Sequence, residues 1–170
     1  KLNIGNLSIS VPIVQGGMGV GISLSGLASA VANEGGVGVI SSAGLGLLYR
    51  NLSKDYIQAS IMGLKEELRK AREKTKGVIG VNVMVAMSNF AIAENADIIF
   101  SGAGLPLNLP SFLQKDSVTK LVPIVSSARA ARVITEKWHN LYNYLPDAFV
   151  VEGPKAGGHL GFKDEQINDE

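Results

Sequence analysis

Apolar positions in this chain come in two textures: short unbroken runs, and longer stretches where they recur every three or four residues. Unbroken runs occupy 11–15, 37–41, 78–85, 97–100, 122–125 and 148–151, and most are followed by glycine or serine. Runs of this length, rich in valine and isoleucine, predict strands. Because they are apolar throughout and do not alternate with polar residues, they predict strands buried on both faces, as in a parallel sheet. Periodic stretches predict helices over 24–33, 56–74 and 128–142. In the first, Ser23 or Ser25 is the expected N-cap and Gly35–Gly36 the stop. In the second, Ile57, Ile61, Leu64 and Leu68 share one face, and Glu66 stands one turn before Lys70. Lys65, Glu66, Arg69, Lys70, Arg72 and Glu73 make its expected solvated side.

Strand and helix alternate, which leaves a doubly wound sheet or a (β/α)8 TIM barrel. Two spacings refine this. Only about nine residues, 88–96, separate the third and fourth strands, fewer than the dozen or so a parallel crossover needs. Either that helix is stunted or residues are missing near Phe90–Ala91. Six strands also fall short of the eight that close a barrel, and an open parallel sheet would leave an exposed edge. The expectation is one α/β domain over 1–170, holding about the first six β/α units and cut at its C-terminus. Lys1 is no initiator methionine, so the N-terminus also reads as cut.

Composition narrows the function classes. Of 170 residues, 46% are hydrophobic and 18% charged, as in a globular domain with a real core. A net charge of +1 gives no support for nucleic acid or a membrane surface as partner. No cysteine is present, which removes disulfides, thiolate nucleophiles and cysteine-bound metals. No apolar run approaches the ~20 residues of a membrane span, and a cytoplasmic setting is expected.

Candidate chemistry gathers where the strands end, the side on which ligands bind in either architecture. Those ends read Gln15-Gly16-Gly17-Met18-Gly19, Ser41-Ser42-Ala43-Gly44, Asn82-Val83-Met84, Ser101-Gly102-Ala103-Gly104, Ser126-Ser127, and Glu152 with its glycine-rich loop. Small residues with a few neutral hydrogen-bonding groups suit a broad, flat ring with a polar edge. They suit a metal poorly, since His and Asp/Glu do not cluster. In the last loop, Gly157 and Gly158 precede His159, the side chain best matched to proton transfer near neutral pH. Gly153 and Gly158 have P-loop spacing, but His159-Leu160 stands where Lys-Ser/Thr is required. Around Gly16–Gly21 the G-x-G-x-x-G spacing fits at no start, and Ser41 stands where a ribose-binding acid belongs. Asp164, Glu165, Asp169 and Glu170 read as a solvated tail, His139 as a surface residue, and Asp147 as a turn into the sixth strand. The 105–110 loop either shapes a substrate pocket or covers the barrel top.

Four motifs, in order, carry a resemblance. They are Pro12-Ile13-Val14-Gln15-Gly16-Gly17-Met18-Gly19, Gly80-Val81-Asn82-Val83-Met84, Ser101-Gly102-Ala103-Gly104 and Glu152-Gly153-Pro154-Lys155-Ala156-Gly157-Gly158-His159-Leu160-Gly161. Together they resemble the nitronate monooxygenase (2-nitropropane dioxygenase) family, which includes the flavin-dependent enoyl-acyl-carrier-protein reductases. The resemblance implies an FMN-binding TIM barrel. It implies that Gly16, Gly17 and Met18 line the flavin, that Asn82 bonds its polar edge, and that Glu152 contacts the flavin or its ribityl chain. Gly157 and Gly158 would pack beside it, with His159 as the catalytic histidine. The family's phosphate-binding A-G-G-I and G-T-R-F elements belong to strands seven and eight, so the FMN phosphate site is expected beyond Glu170.

The leading expectation is oxidation of nitronates or nitroalkanes with FMN and O2. Its alternative within the family is enoyl-thioester reduction with NAD(P)H as reductant. A non-catalytic barrel that binds a phosphorylated ligand is the alternative from another class. A homodimer is the assembly the resemblance allows.

Overall fold

Strands β3 (Val37–Ser41), β4 (Val78–Met84), β5 (Ile98–Gly102), β6 (Lys120–Val125) and β7 (Val150–Val151) form a curled, five-stranded parallel sheet in the order β3-β4-β5-β6-β7. It comes from a computed structural model that describes residues 1–86, 95–158 and 161–162. Each strand pairs with its successor in the chain, as in one side of a (β/α)8 barrel. Helix α1 (Ser25–Asn33) precedes β3, helices α2 (Leu45–Leu48) and α3 (Tyr56–Lys74) link β3 to β4, a 3-10 turn (Leu109–Phe112) lies between β5 and β6, and α4 (Ala128–Tyr142) links β6 to β7. The unusually short crossover near Phe90–Ala91 falls within 87–94, outside the described residues. So do Asp164, Glu165, Asp169 and Glu170.

Alternation along the strands feeds two cores, because successive side chains point to opposite faces. Ile40, Ile79, Val81, Val83, Ile99, Leu121 and Val125 pack outward against the helices, where Leu64, Leu68, Ile134 and Trp138 meet them. Val37, Val39, Ile98, Phe100 and Val122 face the barrel interior. This explains the unbroken apolar runs: both faces are dry.

The interior core contains an element that the apolar runs did not predict. Strands β1 (Leu2–Ile4) and β2 (Leu7–Ile9) form an antiparallel hairpin around Gly5–Asn6. Gly5 has φ +55, the conformation that favours glycine at the first position of a tight hairpin turn. A Cβ there would lie 2.8 Å from Asp147 Oδ1 and 2.9 Å from Lys120 Cδ. Ile4 and Ile9 join the interior core beside Val37 and Ile98, so the hairpin closes the amino-terminal end of the half-barrel.

The strand expected at 11–15 is reduced to a single parallel bridge, Val14 to Val37. Pro12 has no N–H to donate, and the chain leaves the sheet at Gly16. What ladder remains is Val37 N–H to Ile13 O (2.9 Å) and Gln15 N–H to Val37 O (3.0 Å).

Helix α1 also departs from expectation. Its N-cap is Leu24, and neither Ser23 nor Ser25 caps it with a side chain. Instead the Glu67 carboxylate, from α3, accepts the Ser25 N–H at 2.7 Å. On α3 the buried stripe is Ala59, Ser60, Gly63, Leu64, Glu67, Leu68 and Ala71, while Ile57 is half exposed. Gly63 is what allows this rotation, since a Cβ there would lie 2.6 Å from the Tyr49 ring. Glu66, Arg69, Lys70 and Glu73 do form the expected solvated ion-pair face.

Asp147 turns the chain into β7 as expected. Its carboxylate accepts the Leu121 N–H (2.9 Å) and the Tyr144 hydroxyl (2.7 Å). Asp97 repeats the device two strands earlier, between β4 and β5, accepting the Ile79 N–H at 2.7 Å. In the 105–110 loop, Leu109 joins the outer core and the Pro106 carbonyl accepts the Trp138 indole N–H at 2.9 Å. That loop therefore packs over α4. His139 is exposed.

Candidate functional site

Strand parity decides which side chains look into the open, carboxyl end of the sheet. Val37 and Val39 are interior, so Ser41 shares their face; Phe100 is interior, and its β4 register partner is Asn82. Asn82 is half-buried, and its side-chain amide has no hydrogen-bond partner among the described residues. One donor group and one acceptor are thus presented at the open end.

The 16–18 loop lies directly on it. A Cβ at Gly17 would sit against Asn82 Cβ and within 2.8 Å of its Cγ, so glycine is required by protein packing alone. Two residues expected from their sequence motifs to share a ligand, Gly17 and Asn82, are in contact. Gly16 is different, because a Cβ there would meet nothing within 4 Å. The Met18 side chain, next in the chain to Gly17, is half exposed, as are those of Val20 and Ile22. The loop that covers Asn82 thus leaves three apolar side chains open to solvent.

Two residues named in the sequence for other reasons, Gln15 as part of a strand end and Ser23 as a helix cap, hold this loop. Ser23 is fully buried, and its hydroxyl donates to Gly16 O (3.1 Å) while accepting the Met18 N–H (2.9 Å). Its own N–H donates to Met18 O at 3.0 Å. Gln15 Nε2 lies 2.7 Å from that hydroxyl, 2.9 Å from Gly16 O and 3.1 Å from Val39 O. Gln15 Oε1 accepts the Val39 N–H at 3.2 Å. Beyond the loop, Gly19 packs on Ala43 and Gly44 on Val20, which fixes the next strand end against it. Polar side chains preceding and following a glycine run are a weak signal, and only the folded contacts reveal their use.

At the far edge, Glu152 is half-buried, and its carboxylate accepts the Gly161 N–H at 3.2 Å. Ser126 donates to Gly161 O at 3.3 Å. The glycine-rich loop thus returns to its own starting point. Gly157 and Gly158 are exposed, with nothing within 4 Å of a would-be Cβ, and Gly158 has φ +89. Protein packing does not bring these two against Asn82. His159 lies outside the described residues.

A titratable cluster joins α1, α2 and α3, with Glu67 buried at its centre. Glu67 accepts from the Tyr49 hydroxyl as well as from Ser25, and Lys70 stands 3.4 Å away. Burial alone would raise the Glu67 pKa, but the hydrogen bonds from Tyr49 and Ser25 and the Lys70 charge outweigh it and hold the carboxyl below its ordinary value. Burial and the neighbouring carboxylate push Tyr49 up, so it stays a donor.

Among the described residues no group of three or more His, Asp or Glu could hold a metal ion, and no helix is long and apolar enough to cross a membrane. A curled parallel sheet in strand order, closed at its amino-terminal end by the β1–β2 hairpin and carrying glycine-rich turns with a free amide at the other, fits the (β/α)8 class. The chain belongs to the nitronate monooxygenase family, whose sequence model matches residues 1–170. It is 28% identical over 167 residues to (3aS,4S,5R,7aS)-5-hydroxy-7a-methyl-1-oxo-octahydro-1H-indene-4-carboxyl-CoA dehydrogenase of Mycobacterium tuberculosis (strain ATCC 25618 / H37Rv), covering 91% of this chain and 39% of that protein. FabK from Thermotoga maritima superposes with TM-score 0.67 at 26% identity, over 91% of this chain and 44% of FabK. A point variant of that FabK gives 0.70 at 28%, over 91% and 46%. Nitroalkane oxidase from Streptomyces ansochromogenes gives 0.68 at 20% identity, over 95% and 50%, which is a likeness of fold. The chain spans less than half the length of the curated relative.

Proposed function

We propose that this chain forms the substrate-facing half of an FMN-dependent oxidoreductase that oxidises nitronates, or nitroalkanes through their nitronates, with O2. The observation that carries the flavin reading is the unpartnered Asn82 amide packed beneath Gly17 at the open end of the sheet. A flat isoalloxazine ring has one polar and one apolar edge; the Asn82 amide suits the first, and the half-exposed side chain of Met18, on the loop that covers Asn82, suits the second. FMN, when bound, supplies the electron-transfer chemistry, and the protein supplies orientation and proton handling. Asn82 donates to and accepts from the ring's polar edge. The 16–18 backbone sets how closely a planar group can approach. Glu152 holds the loop that carries His159, through the Gly161 N–H. His159 orients or protonates the nitronate oxygens, or takes the carbon proton of a neutral nitroalkane.

A second reading is redox chemistry on an acyl thioester with NAD(P)H, favoured by the 28% identity to a protein whose name specifies a carboxyl-CoA. Purified full-length protein should be yellow with FMN, and colourless protein that cannot be reconstituted favours a non-catalytic ligand-binding barrel. Oxygen uptake driven by a nitronate without pyridine nucleotide supports the oxygenase. Anaerobic bleaching by NADH or NADPH supports the thioester reading instead. Replacing His159 with Asn should lower turnover about 10²–10⁴-fold with FMN retained. Undiminished turnover in that variant removes the histidine from the mechanism.

A further inference from the structure

The outer edge of β3, the one not paired with β4, is satisfied in an unusual way. Its alternate N–H groups go to three different acceptors: Val37 to the Ile13 carbonyl (2.9 Å), Val39 to the Gln15 side chain (3.2 Å), and Ser41 to the Ser23 carbonyl (2.9 Å). Between the first and the last of these the main chain has left the sheet for the 16–22 loop. Gln15 stands in for the missing strand. Its amide oxygen takes the Val39 N–H, and its amide nitrogen reaches the Val39 carbonyl. The backbone is thereby released at Gly16 with none of the three outward N–H groups of β3 orphaned, as a buried strand requires.

Ser23 closes the other end of the same excursion. Every polar group it owns is engaged with the loop or with β3: the hydroxyl with Gly16 O, Met18 N–H and Gln15 Nε2, its N–H with Met18 O, and its carbonyl with Ser41 N–H. The consequence falls on Gly16 and Gly17. The Gly16 carbonyl and both Met18 backbone groups are turned inward and occupied. The Gly16 and Gly17 N–H groups have no partner among the described residues, and the loop is pressed on Asn82. A buried serine and a glutamine side chain thus fix which backbone groups the loop hides and which it presents.

We infer that Gln15 and Ser23 are positioning residues: a polar clasp that sets the 16–18 backbone and Asn82 in the geometry a planar cofactor meets. Neither side chain is offered to the cofactor, since both are saturated by protein. The inference rests on the flavin reading above.

The test measures FMN affinity and the visible flavin spectrum of the purified full-length protein, using FMN itself as the probe. Ser23→Ala removes the acceptor of the Met18 N–H. Gln15→Met keeps the length of the side chain and removes its amide. A control, Ile134→Val, trims a fully buried side chain of the outer core, away from the loop. Each clasp variant should raise the Kd for FMN about 10-fold, the effect of losing one or two buried hydrogen bonds, and should shift the flavin bands. The control should leave both unchanged even where its unfolding midpoint falls as far as theirs. Unaltered Kd and spectrum in Ser23→Ala and Gln15→Met, in a protein whose wild type binds FMN, overturns the clasp alone. So does an equal loss of FMN affinity in Ile134→Val. Wild-type protein that takes up no FMN overturns the flavin reading and the clasp with it.

Discussion

Two adjacent glycines at the first strand end illustrate two different reasons for the same residue. Gly17 is required by the protein, because a Cβ would collide with Asn82. Gly16 faces open space, so any requirement for glycine there comes from a ligand. The two substitutions should therefore separate. Gly17→Ala forces Asn82 or the loop to move and should cost about 1–3 kcal/mol of apo-protein stability, as overpacking does, along with FMN affinity. Gly16→Ala should leave the apo unfolding midpoint unchanged and still weaken FMN binding. Thermal unfolding of apo protein with parallel FMN titrations distinguishes them. Unaltered FMN affinity in Gly16→Ala means that Gly16 does not line the ring.

Among the elements, α1, α2 and α3 are tied together by one carboxylate. Glu67 supplies the cap that α1 lacks, accepting Ser25 N–H, and receives the hydroxyl of Tyr49 from the end of α2. Glu67→Ala leaves these donors buried without an acceptor and should cost roughly 2–4 kcal/mol. Its folded pKa lies below its unfolded value. The corresponding stability is fully present above the unfolded pKa and is lost as pH falls through the folded one. Wild-type stability should therefore decline on acidification below about pH 4.3, the ordinary glutamate value, more steeply than that of Glu67→Gln. Chemical denaturation at stepped pH measures the difference, and parallel slopes would mean that Glu67 carries no such linkage.

This cluster also shows where sequence reading stops. Helices at 56–74 and 128–142 were legible because their periodicity is local, and the structure has α3 and α4 at those bounds. The β1–β2 hairpin was signalled only by Gly5–Asn6 between two three-residue strands, too short to stand out as apolar runs. Glu67 was indistinguishable from its solvated neighbour Glu66, because its partners Ser25 and Tyr49 lie 42 and 18 residues away. Gly17 and Asn82 were each legible as candidates from their motifs. Their contact was not, since it depends on the loop crossing the end of β3 to reach β4. The roles of Gln15 and Ser23 arise wholly from the path of that loop.

Over the whole molecule, the half-barrel has one end for stability and one for chemistry. The hairpin places Ile4 and Ile9 under the interior core, beside Val37 and Ile98 at the strand starts. Gly17, Asn82 and the clasp occupy the strand ends, with Phe100 and Val39 between the two levels. Packed cores transmit strain over short distances, while substitutions without shared partners act independently. Ile9 is 1% exposed, and Ile9→Ala should lower unfolding stability by about 2–5 kcal/mol, the range for deleting a buried isoleucine. Its contacts lie at the closed end, so bound FMN should keep its visible spectrum and its Kd at temperatures below the unfolding transition. Urea denaturation gives the first quantity and flavin titration the second. A shifted flavin band or a weakened Kd in folded Ile9→Ala protein would show that the hairpin reaches the site through Val39 and Phe100, and that the two ends of the half-barrel are energetically one.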